Sequence, residues 1–423
     1  MFVRDFGFVS AVGLVASSVV ACAALGDGQA NLSAQDDLTT AETQQALVAE
    51  LPVPQIRRVI LGNIPEATES MRNAVKAKLD PPYDFSNLDL PPIPGIDSIG
   101  DAIAVELNYQ DMTVAAIYGD RDELAKLAAE VHARGLDQEV AASRVDLSET
   151  DPTLVPNSPQ KQTLGWSTGI DNRARLGIQD GYATTHPKLQ KIGRFVNDGS
   201  GSLIGRRIVM TAGHVVARLG GWYLSSFVPR QDWSTGVLQQ PYGSEAPYAA
   251  YIGGGFFAKN CHITYDSVNC PRDDWAFVIL NSNAFSGNHP GWFGYTSPDE
   301  ATLQANYYYI WGYPLCGDPL SPSPCTSRTA YGQTSPCTIG SFMNADGSGG
   351  YKYQFATSCD ASNGMSGSSV WTNALGGFAV VGFHFASSCT SPATCAASTY
   401  NSLAVRLDPG MAGTIAWLRT TYP

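Results

Sequence analysis

The chain has 423 residues, 44% of them hydrophobic and 15% charged, enough for two or three folding units with a sizeable core. Its net charge is −12, from 26 Lys+Arg against 38 Asp+Glu. There is no basic stripe to track phosphates, so no nucleic-acid partner is expected. Residues 26–165 hold 10 Lys/Arg and 23 Asp/Glu, a difference of −13, whereas residues 166–423 hold 15 and 14, or +1. A break of this size marks a boundary.

Taken in chain order, Met1–Leu25 places Arg4 ahead of a small-residue apolar run, Phe6 to Ala21, which reads as a secretory signal. Val19-Val20-Ala21-Cys22 leaves two outcomes open. Either Cys22 is lipidated as in a bacterial lipoprotein, or it is discarded with the signal. Both leave eight of the nine cysteines: Cys261, Cys270, Cys316, Cys325, Cys337, Cys359, Cys389 and Cys395. An even set in an exported chain reads as disulfides, and no Cys-x-x-Cys or clustered His spacing favours a metal. Closeness along the chain favours Cys261–Cys270 and Cys389–Cys395, with Cys316–Cys325 and Cys337–Cys359 next.

Residues 26–165 open on a polar stretch, Ala30–Glu50, and include the proline-rich Leu90–Gly95. Between Ala102 and Gly135, Ile103–Leu107 and Met112–Ile117 alternate like paired strands. Arg121–Arg134 carries Leu124, Leu127, Ala128 and Val131 at helical spacing. A small hairpin-plus-helix module of this kind suits a propeptide that helps the rest fold and covers its cleft. A separate partner-binding domain is the alternative.

Residues 166–423 read as all-β. Short apolar or alternating runs at Ile192–Phe195, Ser202–Met210, Trp222–Val228, Tyr248–Ile252, Trp275–Leu280, Asn306–Trp311, Tyr351–Phe355, Val370–Thr372, Phe378–Phe383 and Ser402–Arg406 are bounded by Gly, Pro, Asn and Ser clusters. Only Met411–Thr420 reads as a helix.

Three stretches carry chemistry. Thr211-Ala212-Gly213-His214 delivers a histidine from the end of an apolar strand, and Asp273-Asp274 stands at the mouth of the apolar run Trp275–Leu280. A carboxylate there needs hydrogen bonds, which an imidazole N–H can donate. Asn363-Gly364-Met365-Ser366-Gly367-Ser368 is a glycine-flanked turn that can project a hydroxyl with backbone N–H groups beside it. Alone it reads equally well as an ordinary turn. The order His, Asp, Ser excludes the hydrolase order Ser, Asp, His and the subtilisin order Asp, His, Ser.

With these motifs the chain resembles the chymotrypsin-fold serine endopeptidases, and among them the bacterial glutamyl endopeptidases, over residues 166–420. Gly291–Tyr295 and Ile310–Pro314 extend the likeness. The resemblance implies two antiparallel six-stranded β-barrels with a C-terminal helix and a protease domain over 166–423, to which the patterns above add a signal peptide over 1–25 and an acidic propeptide over 26–165. It implies catalytic His214, Asp274 and Ser366, and an oxyanion hole from the Gly364 and Ser366 N–H groups. Gly-x-Asp-x-Arg-x-Arg at Gly169–Arg175 is similar to the mature N-terminus of that family, where it contributes to the active conformation or the acidic-substrate site.

His384 falls where these enzymes keep a pocket histidine, with Ser387 nearby. Asp360, six residues before Ser366, stands where trypsin-like enzymes bind Lys or Arg, so a basic preference is the rival. Ala361 departs from the hydroxyl residue expected beside the pocket, and Met365 excludes activation by an Asp to N-terminus ion pair. Substrates are proteins or peptides, the front segment is a partner to the domain, and a secreted or cell-surface monomer is expected. No cofactor is implied. The rival class is a non-catalytic surface or adhesion protein on the same scaffold, which three motifs in the right order disfavour.

Overall fold

Strand pairing divides the chain into two antiparallel sheets, each closing on itself, in a computed structural model that describes residues 51, 54–64, 99–140, 173–183, 186–196, 199–217, 225–262, 265, 270–282, 284–285, 288–316, 322–326, 328–343, 352–387 and 402–423. All of these fall within one unit, Ala34–Pro423. The signal-peptide segment, Cys22, Cys389 and Cys395 lie outside the described residues.

The strands are β1 (Arg57–Asn63), β2 (Ala104–Asn108), β3 (Thr113–Tyr118), β4 (Arg173–Arg175), β5 (Ile192–Phe195), β6 (Gly199–Gly205), β7 (Ile208–Thr211), β8 (Phe227–Pro229) and β9 (Pro247–Gly253). They continue as β10 (Ala276–Leu280), β11 (Gly294–Tyr295), β12 (Tyr309–Gly312), β13 (Tyr331–Gln333), β14 (Ile339–Met343), β15 (Gln354–Thr357), β16 (Ser369–Thr372), β17 (Ala379–Ser387) and β18 (Ser402–Arg406). Helices are α1 (Arg121–Ala133), α2 (Gly213–Val216), α3 (Gly254–Ala258), α4 (Glu300–Ala305) and α5 (Pro409–Thr421).

The first sheet runs β1-β3-β2-β9-β10-β7-β6-β5-β8. Its last six members close into a barrel, because Phe227 of β8 exchanges both backbone hydrogen bonds with Glu245, two residues before β9. In the second sheet, β14-β15-β18-β17-β16-β12-β13-β4, Tyr308 and Cys337 make the same exchange and join the start of β12 to the lead-in of β14. With β13 and β14 counted as one broken strand, the second barrel also has six. This is the expected two-barrel architecture, with the expected C-terminal helix.

Local chemistry explains the elements. β10, Ala-Phe-Val-Ile-Leu, is buried on both faces and so shows no alternation. The N-cap of α1 is Asp120, whose carboxylate accepts from the Asp122 and Glu123 N–H groups. Asp408 caps α5 by accepting from the Met411 N–H at 2.7 Å, and Pro409 occupies the first turn, where its missing donor costs nothing.

Three differences from the sequence reading have physical causes. The run expected as one strand over Ser202–Met210 is the hairpin β6–β7, turning at Arg206-Arg207. β13 and β14 were hidden by Ser335-Pro336 and by their own glycine and serine content. β1 has an unremarkable sequence, and only pairing with β3 from Arg57↔Tyr118 to Asn63↔Thr113 makes it a strand.

Disulfides join Cys261 to Cys270, Cys316 to Cys325 and Cys337 to Cys359, as expected from chain proximity. They agree with an oxidising, extracellular setting. No helix among the described residues is long and apolar enough to cross a membrane.

Candidate active site

Register brings the first two candidates together. Thr211 of β7 stands opposite Ala276 of β10, so the residues leaving β7 meet those entering β10. The backbone then turns into α2 at Gly213, where a Cβ would stand only 3.1 Å from Asp274 Oδ1. A side chain here would press on the Asp274 carboxylate. His214 donates its backbone N–H to Asp274 Oδ1 at 2.7 Å, and its ring Nδ1 lies 2.8 Å from Asp274 Oδ2. A carboxylate accepts only, so Nδ1 carries the proton and Nε2 is left as the acceptor. Asp274 is fully buried, while the His214 side chain is 16% exposed.

A third donor completes the carboxylate shell. Tyr265 Oη donates to Asp274 Oδ2 at 2.6 Å, and its ring stands edge-on to the His214 imidazole, with centroids 5.7 Å apart. Burial, then the Asp274 charge and that hydrogen bond, raise the Tyr265 phenol well above the usual tyrosine range. It therefore remains a donor.

The serine turn is held between the barrels. Gly364 and Gly367 have φ of +84° and +86°, conformations that a side chain resists. Met365 N–H turns inward to Ser362 O at 3.0 Å, whereas neither Gly364 N–H nor Ser366 N–H donates to any group among the described residues. Beside a half-buried serine, two N–H groups thus have no acceptor among the described residues, as an oxyanion hole requires.

Ser200 of β6 fastens this turn to the first barrel. Its N–H donates to Ser366 O at 2.8 Å and its hydroxyl to Gly364 O at 2.9 Å. Its carbonyl accepts from Thr211 Oγ1 at 2.8 Å. A Cβ on Gly367 would overlap Thr211 Oγ1 and Ser200 O and reach 3.0 Å from Ala212 N, so the serine turn lies against the strand end that carries His214. A Cβ on Gly199 would likewise stand 2.9 Å from Ser366 O and 2.8 Å from Val215 Cγ2. The turn that carries Ser366 and the strand end that leads to His214 and its partner Asp274 thus lie against each other where the barrels meet, but no hydrogen bond joins Ser366 to His214 among the described residues.

His384 continues the β16–β17 ladder beside the turn: Gly367 N–H donates to His384 O, and His384 N–H to Ser368 O, each at 2.8 Å. Its ring is buried, with Nδ1 2.7 Å from Ser402 Oγ. Burial, reinforced by His214 and Arg173, pushes the imidazole down to about 3, so it is neutral near pH 7. Arg173 of β4 reaches under the serine turn, donating from Nη1 to Ser362 Oγ at 2.7 Å and to Met365 Sδ at 3.5 Å. Ser387 donates its hydroxyl to Ala361 O at 3.1 Å. Asp360 is completely buried, and its carbonyl accepts from the Gln333 amide.

Tyr265 and Ser200 escaped the sequence reading as site residues, and Arg173 entered it only as part of the Gly169–Arg175 stretch. Tyr265 had a signal in its place inside the Cys261–Cys270 loop, and Arg173 in the Arg-x-Arg pair. Ser200, in a Gly-Ser-Gly-Ser run, had none.

No family model matches the chain, and no curated protein matches it. Among solved structures it is similar to a Glu endopeptidase in complex with MPD, at 17% identity over 59% of this chain and 97% of that chain, with a TM-score of 0.40. It is also similar to protease Anisep from Arthrobacter nicotinovorans, at 18% identity over 52% of this chain and 90% of that chain, with a TM-score of 0.35. Likeness at this level has no bearing on the chemistry, and the two-barrel architecture stands on the strand pairings above.

Proposed function

We propose that the protein is an exported serine endopeptidase that uses His214, Asp274 and Ser366 and is cut once between its acidic front segment and the stretch at Gly165. The observation that carries this reading is the Asp274–His214 pair in the tautomer that leaves Nε2 basic, set against a serine turn with two undonated N–H groups. In this mechanism Nε2 takes the Ser366 proton as the hydroxyl oxygen attacks the scissile carbonyl. The oxyanion is received by the Gly364 and Ser366 N–H groups, and the imidazolium formed is stabilised by Asp274. His214 then passes the proton to the leaving amine. Water repeats the sequence on the acyl-enzyme.

Preference for Glu or Asp before the scissile bond is part of the proposal. The neutral His384 imidazole and the Arg173 guanidinium lie beside the serine turn and are the donors proposed to meet a substrate carboxylate. The full burial of Asp360 argues against its serving as an open anchor for Lys or Arg.

The test is active-site labelling with a fluorophosphonate. Wild-type protein should be labelled at Ser366, whereas Ser366→Ala and His214→Ala should not be. Absence of labelling in folded wild-type protein would leave a non-catalytic scaffold as the better reading.

A further inference from the structure

Residues 57–63 and 99–140 precede the proposed cut, yet they complete the first barrel's sheet and core. β2 lies between β3 and β9, in register with β9 from Ala104↔Gly253 to Asn108↔Ala249. Val105, Leu107, Leu124 and Val131 belong to the same buried cluster as Ile208, Val278, Ile415 and Trp417. Backbones touch at two glycines: a Cβ on Gly413 would overlap Leu124 O, and one on Gly254 would overlap Ala102 O. These are contacts of an interior.

Two buried cations of the later domain depend on the earlier segment. Arg419 is fully enclosed and donates to the carbonyls of Ile204, Phe293 and, at 2.9 Å from Nη1, Leu136. Lys191, 1% exposed, has Glu139 as its ion-pair partner, and Glu139 Oε2 also accepts from Phe378 N–H at 3.1 Å. Val140 and Trp292 exchange both backbone hydrogen bonds at 3.0 Å. Departure of the front segment would expose the edge of β9 and an apolar face on α5, leave Lys191 without its carboxylate partner and take the Leu136 acceptor from Arg419.

The same seam reaches the site from behind. Gly254 N–H donates to Ile103 O, and the Gly253–Gly255 turn packs on Asp273, the neighbour of Asp274. Among the described residues, no hydrogen bond from 99–140 goes to His214, Asp274 or Ser366.

We infer that the front segment is a permanent component of the folded domain: after cleavage anywhere within 141–172 it stays seated on β9 and α5 as a non-covalent subunit. This concerns the fate of the segment and does not depend on the protease reading.

The test uses the full chain with the recognition sequence of a site-specific protease inserted between Asn157 and Ser158, and in a second version between Thr163 and Leu164. After complete cutting, size exclusion and native mass spectrometry should show both pieces in one 1:1 species, separating only in denaturant. A front piece that elutes alone, whether the remainder stays folded or precipitates, overturns the inference. Because co-elution is the readout, a failure of the protease reading leaves this result intact.

Discussion

Tyr265 Oη and His214 Nδ1 share one acceptor, Asp274 Oδ2, at 2.6 and 2.8 Å. The tyrosine sits in the loop closed by Cys261–Cys270, so a covalent staple holds a hydrogen-bond donor against the carboxylate that orients the proposed base. Tyr265→Phe removes that donor and little else. A hydrogen bond to a charged group is worth about 1.5–3 kcal/mol, and a share of that on the barrier lowers kcat roughly tenfold with KM nearly unchanged. Steady-state kinetics decide it: an unchanged kcat would make Tyr265 a packing residue only.

Gly367 should tolerate no side chain. Its φ of +86° is strained for any other residue, and a Cβ there overlaps Thr211 and Ser200. Gly367→Ala is expected to destabilise the protein by at least about 2 kcal/mol and to abolish labelling of Ser366. Denaturant unfolding provides the first quantity. A stable, fully labelled variant would show that the two barrels meet less closely.

Substrate preference should follow His384 and Arg173. Replacing either by Ala lowers kcat/KM for peptides with Glu before the scissile bond about 10–100-fold, while any residual cleavage after neutral residues is spared. A peptide library read by mass spectrometry checks this. If basic residues are preferred and Asp360→Ser removes that preference, the specificity proposal is overturned.

Stability should fall in mild acid. Burial pushes His384 down to about 3 and His289 down to about 4, against about 6.5 for an exposed imidazole. Below pH 6.5 the unfolded chain binds protons that the folded chain does not, so both histidines contribute stability above that pH which is lost as pH falls toward 4. Urea midpoints at pH 7 and pH 5 measure the loss. His289→Gln should flatten it, and an identical slope in that variant would sink the assignment.

Glu139→Ala strips the buried Lys191 of its carboxylate partner. Burial already lowers the Lys191 ammonium, with Glu139 opposing that shift. Breaking such a pair from one side costs about 3–5 kcal/mol, and Lys191→Met in the same chain should recover most of it. A double-mutant cycle by chemical denaturation checks the coupling.

What the sequence determined by itself was whatever depends on local pattern or on order along the chain. The order His, Asp, Ser carried the resemblance that implied two barrels and a proton relay, while short runs bounded by turn residues read as a barrel or sandwich, because strand patterning and turn chemistry are short-range properties. The helix over 411–420 and three of the disulfides were legible for the same reason. Tertiary structure alone decided which groups complete the site and where the front segment goes. Ser200 is a serine among glycines until β6 lies against the serine turn, and Tyr265 is a loop tyrosine until its hydroxyl meets Asp274. β2 and α1 were recognisable as a strand and a helix, but sharing one core with β9 and α5 is a long-range contact that no local pattern encodes.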